Sequence, residues 1–246
     1  MSKRQEIRAR RQRQRLINRL LVIGAMVVGV ALIVMAIILP GIQQAQAANA
    51  LATNVAKTPV VTVSPQPIAA RVDGTHLGDP NAPVKVDVYE DFRCSACLYY
   101  SQNFEPAIIQ NYVNTGKVYY SYHTYIVIDN YDKTDASRRS ANAAMCASEQ
   151  GMFWEYHETL FANQITESAS LFTDERLRQM AENVGLDLTK FDACYQAKKY
   201  DGTIKEDIAK GQALGVSGTP SIYVNGVLVN QFDQVGTAIE NALAGK

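Results

Sequence analysis

The chain has 246 residues, 47% of them apolar, and its formal charges cancel at 24 basic and 24 acidic side chains. That length allows one sizeable domain or two small ones, and that apolar share excludes general disorder. The neutral average conceals a division: Lys3, Arg4, Arg8, Arg10, Arg11, Arg13, Arg15 and Arg19 face only Glu6, which leaves the rest net acidic, 16 basic against 23 acidic residues.

The basic segment, residues 1–19, runs directly into LLVIGAMVVGVALIVMAIIL, residues 20–39, which holds no charged or polar side chain. As a helix this stretch would be roughly 30 Å long, the thickness of a bilayer's hydrocarbon core. An arginine run alone would also suit nucleic acid. Beside an uncharged 20-mer it reads as the cytoplasmic flank of a transmembrane helix in the lipid bilayer, and no nucleic-acid partner is expected. Ala45-Gln46-Ala47 resembles a signal-peptidase site, but the apolar stretch exceeds the about 7 to 15 residues of a cleaved signal's core, so 20–39 reads as a retained signal anchor. With either fate the main domain is extracytoplasmic.

Residues 40–79 are rich in Ala, Gln, Pro, Thr and Val without a helical period and read as an extracytoplasmic linker, with a short strand at Val60 to Val63. The domain proper is placed at 80–246. Val84, Val86 and Val88 alternate with Lys85, Asp87 and Tyr89 as in a strand, which turns at Asp91-Phe92-Arg93 into a helix beginning near Cys94. Phe104, Ile108, Ile109 and Tyr112 extend a helical face, kinked at Pro106, until Gly116. Lys117 to Ile128, dense in β-branched and aromatic residues, predicts a second strand. From about 129 to 215 the pattern is helical: Leu177, Met180, Ala181 and Val184 recur at helical spacing up to Gly185, and Phe191, Cys194 and Tyr195, then Ile204 and Ile208, mark two more helices. Strand signals return with PSIYV, an Asn225-Gly226 hairpin turn and VLVNQF, and a last helix starts near Gln234. A β-α-β half and a β-β-α half separated by helices make an α/β, thioredoxin-like fold with a helical insertion domain.

Cys94 and Cys97 are spaced C-x-x-C, a pattern open to a disulfide, a metal half-site or two core thiols. Residues i and i+3 on one helical turn have Cβ atoms about 5 to 6 Å apart, so a bridge there opens and closes without unfolding anything. At a helix N-terminus the Cys94 sulfur meets unpaired N–H groups and the positive end of the dipole, which favour thiolate, and Arg93 next door is expected to add to this. Cys94 is then the exposed nucleophile and Cys97 the buried resolving thiol. Zinc usually needs four ligands, whereas there is one C-x-x-C, and His76, His123 and His157 are scattered, so no metal and no cofactor is expected. An even count of four cysteines outside the cytosol suits two bridges.

The stretches HLGDPNAPVKVDVYEDFRCSAC, AMCASEQGMFWEYHETLF, VGLDLTKFDACYQ and GVSGTPSIYVNG, in that order, resemble the DsbA family of thiol-disulfide oxidoreductases, particularly membrane-tethered bacterial forms. The resemblance runs from about His76 to the C-terminus. It implies exchange of the Cys94-Cys97 disulfide with thiols of exported proteins, a membrane redox partner of the DsbB or VKOR type, and a cis-proline loop at Thr219-Pro220 facing the active-site pair. It also implies a structural bridge between Cys146 and Cys194, which match positions paired in some relatives; two buried free thiols are the bland alternative. Phe153, Trp154 and Tyr156 read as insertion core.

Two departures matter. Relatives commonly carry a buried acid six residues before the first cysteine, where this chain has Val88; Asp87, Glu90 and Asp91 are the nearby carboxylates. The dipeptide Ser95-Ala96 is neither the Pro-His of strong oxidants nor the Gly-Pro of reductants. An oxidase is the favoured reading. A reductase or isomerase of the same fold, and a redox-inactive tether that binds polypeptide or metal, are the alternatives.

Overall fold

The computed structural model describes residues 16, 19–21, 23–26, 29–30, 32–43, 46, 58–61, 63, 66–164 and 172–245. The chain divides into two units, residues 1–54 and 55–246. In the first, every described residue is helical, and large apolar side chains such as Leu20, Ile23, Met26, Leu32, Ile33, Ile37 and Ile38 stand exposed. Among the described residues no helix is long and apolar enough to cross a membrane. Residues 22, 27, 28 and 31 of the predicted anchor lie outside the described residues, as does the basic segment apart from Leu16 and Arg19.

The second unit is built on a six-stranded sheet in the order β1-β2-β4-β3-β5-β6, with β1 Val72–Asp73, β2 His76–Leu77, β3 Val84–Glu90, β4 Val118–Thr124, β5 Ser221–Val224 and β6 Val227–Val229. Among the described residues only β3 and β4 pair in parallel. Val84, Val86 and Val88 are wholly buried, as their alternation predicts, and centre the core. Asn225 and Gly226 both have positive φ, the signature of a two-residue hairpin turn, and Asn225 Oδ1 accepts from Lys85 N at 2.8 Å, pinning the turn to β3.

Helix α1, Ser95–Asn103, follows β3, and α2, Glu105–Ile108, continues it through a π-helical turn at Ile109–Val113. The break falls at Phe104, one residue ahead of the helix that has Pro106 in its first turn. The insertion consists of α3 Ile128–Asp132, α4 Ala136–Ser148, α5 Phe153–Ala162, α6 Asp174–Val184, α7 Leu188–Gln196 and α8 Asp201–Ala213, and α9 Val235–Leu243 closes the chain. Thr173 caps α6, and Asp187 caps α7 by accepting from Thr189 N and Lys190 N. Gly185, at φ +90°, ends α6. Helix α5 packs on α1 and α8 on β4, so the insertion buttresses the sheet and the first helix.

The second predicted strand, Lys117 to Ile128, is shorter than its composition suggests. It ends at Thr124 because Val127 N and Ile128 N donate to the Asp91 carboxylate instead of to a ladder. The strand expected at Val60 to Val63 is not formed at the described positions 60, 61 and 63. Asn163 exchanges two hydrogen bonds with the backbone of Val61, Glu158 accepts from Gln66 N, and Asn114 accepts from Ala69 N and Ala70 N. Backbone groups of Val61, Gln66, Ala69 and Ala70 are thus held by side chains of the domain, an arrangement with no sequence period to announce it.

One charge cluster gives the fold a pH dependence. His123 on β4 bonds Asp87 of β3 at 2.9 Å and lies 3.7 Å from Asp207 of α8. Burial pulls its pKa down, but hydrogen bonds with Asp207 and Asp87 outweigh this and raise it to about 9. A folded value above the ordinary 6.5 means that the stabilisation is complete below about pH 6.5 and is lost as pH rises through about 9. In urea titrations of the oxidised protein, in which Cys94 does not titrate, stability falls more steeply from pH 6.5 to 9.5 for the native chain than for His123→Gln. Equal slopes would remove His123 from the explanation.

Candidate active site

Cys94 is the N-cap of α1, with extended backbone angles, and its side chain is half-buried; Cys97, one turn on, is fully buried. The turn that delivers them is fixed by Asp91, which is 2% exposed: Oδ1 accepts from Arg93 N, and Oδ2 from Val127 N and Ile128 N, all at 2.9 to 3.0 Å. Across from α1, the Thr219-Pro220 bond is cis, and the Cys94 thiol donates to Thr219 O at 3.2 Å. Ser95 is exposed and Ala96 partly so, which leaves the mouth of the pair open to solvent.

The two sulfurs are driven apart in acidity. Hydrogen bonding with the Cys97 thiol, opposed by burial and helped by the Thr219 side chain and the N–H groups of Cys97 and Ala96, lowers the Cys94 pKa to about 6. Burial pushes Cys97 well above its ordinary value, and the Glu90 carboxyl adds to this. A half-exposed thiolate beside a buried thiol is equipped for disulfide exchange: the first sulfur meets a substrate and the second resolves the mixed disulfide.

Arg93 does not join this arrangement. Its side chain is 1% exposed and turned toward α3, where it donates to Asp129 at 3.0 Å, to Thr134 at 2.9 Å and to Asp132. The expectation that it supports the Cys94 thiolate is therefore corrected: its charge is matched by two carboxylates, and it ties the active-site turn to the insertion.

Val88 is buried and apolar, so the position six before Cys94 holds no acid. A buried carboxyl is supplied two residues later by Glu90, which is 0% exposed. Burial drives its pKa well above the carboxylate range, with the Cys94 charge reinforcing the shift. The period-2 alternation of Val84, Val86 and Val88 already places Glu90 on their face. Glu105 was also legible, since it lies three and four residues before the core residues Ile108 and Ile109.

Cys146 of α4 and Cys194 of α7 are joined as a disulfide with Cα atoms 5.8 Å apart, separate from the exchange pair. The predicted residues thus sort into one cluster, Cys94, Cys97, Thr219 and Pro220 with Ser95 and Ala96 at its mouth, and two features outside it, the Arg93 clamp and the bridge.

Residues 70–241 match the protein family described as thioredoxin. The chain belongs to the thioredoxin family. A curated relative, the probable disulfide bond formation protein D of Bacillus anthracis, is 29% identical over 170 residues, 68% of this chain and 77% of that protein. Among solved structures, BdbD from Bacillus subtilis in its oxidised form superposes with a TM-score of 0.63 at 24% identity, covering 76% of this chain and all of that one. Oxidised DsbA from Mycobacterium tuberculosis gives a TM-score of 0.53 at 25% identity over 72% of this chain and 98% of that one. The fold is the DsbA variant of the thioredoxin family, and the chain is a protein thiol-disulfide oxidoreductase.

Proposed function

We propose that this oxidoreductase works outside the cytoplasm as an oxidase, passing a Cys94-Cys97 disulfide to the thiols of exported proteins, tethered to the membrane by residues 20–39 with residues 1–19 inside. The observation that carries the reading is the divided acidity of the pair, with Cys94 at about 6 and Cys97 raised. A substrate thiolate attacks Cys94 Sγ of the oxidised pair, and Cys97 leaves and takes up a proton. A second substrate thiolate then attacks the substrate sulfur of the mixed disulfide and releases Cys94 as a stabilised thiolate. Two electrons have moved from substrate to enzyme. A membrane partner of the DsbB or VKOR type would take them on. Thr219 O beside the sulfur is placed to pair with the backbone of an extended substrate.

The names of the curated relatives, the exposed apolar helical residues behind an arginine run and a buried second disulfide, which suits an oxidising compartment, support the location. One observation favours a reductase or isomerase instead. A pKa of about 6 lies closer to the ~7 of thioredoxin than to the ~3.5 of the strongest oxidant, and Arg93 is turned away from the sulfur.

The reduction potential of the pair in the full chain decides between them. Equilibrated with glutathione and read by mass on Cys94 and Cys97, the oxidase is expected at about −120 to −180 mV. A value near about −270 mV would assign the protein to the reductants and overturn the proposed direction.

A further inference from the structure

Three ionisable side chains meet in the core where β3, α2 and α5 come together. Glu90 ends β3, Glu105 opens α2 and His157 lies in the middle of α5, and they are 0%, 2% and 1% exposed. One potential ligand atom from each lies within 4.8 Å of the other two. His157 Nε2 and Glu90 Oε2 are 3.4 Å apart, which is long for a hydrogen bond. Two ligands each about 2.1 Å from a tetrahedral zinc ion stand about 3.4 Å from one another, so the spacing is that of a coordination edge.

The second observation is unfilled valence. Glu90 Oε1 and His157 Nδ1 are both fully buried without a hydrogen-bond partner. Buried polar atoms are nearly always satisfied; an ion held by His157 Nε2 and chelated by both Glu90 oxygens would engage Oε1, leaving Nδ1 as the protonated ring nitrogen. Glu105 is held differently: its Oε1 accepts from the Tyr120 hydroxyl at 2.8 Å, and Tyr100 meets that hydroxyl at 3.3 Å. A phenol that orients a carboxylate whose second oxygen remains available is an outer-shell support of the kind metal ligands carry. Beside the cluster a cavity of about 350 Å³, bordered by Glu105, His157, Gln66 and Glu158, offers an entry path and room for a water as fourth ligand.

We propose that Glu90, Glu105 and His157 form a binding site for one divalent transition-metal ion of the zinc type, which uses neither cysteine sulfur as a ligand. Two carboxylates and one imidazole suit zinc or a neighbouring first-row ion, and the dipositive charge balances the two carboxylates at a place where water cannot. Calcium and magnesium, which take six or more oxygen ligands, fit an oxygen-poor triad badly. The site stands whichever way the cysteine pair passes electrons.

The test uses the full chain with Cys94 and Cys97 kept as a disulfide, so that they cannot ligate. After removal of metal with a chelator, the protein is titrated with Zn2+ and then, separately, with Co2+. One zinc per chain is expected by metal analysis. Cobalt is expected to give the visible bands of a four-coordinate nitrogen and oxygen site without a thiolate charge-transfer band. Glu105→Gln, which keeps an oxygen for Tyr120, and His157→Gln each weaken zinc binding about tenfold or more. Absence of stoichiometric zinc on the oxidised chain, or uptake only by the reduced pair, overturns the site. Because the cobalt spectrum is read on the native sequence, a variant that fails to fold does not obstruct the test.

Discussion

Cys94→Ser is expected to reduce disulfide exchange to the uncatalysed background, while Cys97→Ser retains the first step and stalls as a mixed disulfide. The asymmetry follows from the placement of the sulfurs. Cys94 is half-exposed at a helix N-terminus with a pKa of about 6, and Cys97 is fully buried with its pKa raised. At pH 7 a thiol with a pKa of about 6 is roughly nine-tenths thiolate, whereas one at the ordinary value of 9.0 is about one-hundredth thiolate. The hydrogen bond from the Cys97 thiol, assisted by the Thr219 side chain and the N–H groups of the helix terminus, therefore supplies about a hundredfold in reactive species, and the serine hydroxyl, which does not ionise here, forfeits all of it. Two measurements check this: exchange with a dithiol peptide, and alkylation of the reduced protein across pH. Alkylation of Cys94 should rise with a midpoint near pH 6 while Cys97 stays protected. Exchange that survives in Cys94→Ser, or a midpoint near 9, would sink the assignment.

Removing the second bridge acts on stability instead. Cys146 and Cys194 lie 48 residues apart in sequence and link α4 to α7 within the core. Closing a loop of that length restricts the unfolded chain by an entropy equivalent to roughly 4 kcal/mol, on the chain-entropy model. The double variant Cys146→Ala with Cys194→Ala is expected to unfold in urea with about that loss, most of it arising in the denatured state. The alkylation midpoint of Cys94 should not move, because neither α4 nor α7 contributes a group to its acidity. A loss below about 1 kcal/mol would mean that native strain or residual structure in the unfolded chain cancels the entropy. A shift at Cys94 would show that the bridge reaches the exchange site.

The architecture was largely legible because its decisive segments are strongly patterned. The valine alternation of β3, the C-x-x-C at a helix start, the period of α6 and the Asn225-Gly226 turn are local signals, and the elements formed where they pointed. The features without a local signal depend on partners far away in sequence. Arg93 sits beside Cys94 in the chain, but its side chain is claimed by Asp129 and Asp132, some forty residues on. The β1-β2 hairpin has two-residue strands, too short for any alternation to show. Glu90 shares its local acidity with Asp87 and Asp91 in the sequence, and only the alternation that marks β3 sets it on the core face. His157 stands alone in the sequence because its companions, Glu90 and Glu105, come from two other elements.

The Cys146-Cys194 bridge also bears on how each copy of the protein matures. Cys94, Cys97 and Cys146 all precede Cys194, so a chain emerging N-terminus first presents three thiols before the last partner exists. Four cysteines can pair in three ways, and only one of these both closes the bridge and leaves Cys94 and Cys97 to each other. Folding has to reject the other two by bringing α4 and α7 together. Closing the bridge removes two electrons, which an oxidant has to accept. If the proposed oxidase direction holds, an older copy with its own exchange pair charged has the chemistry for that task.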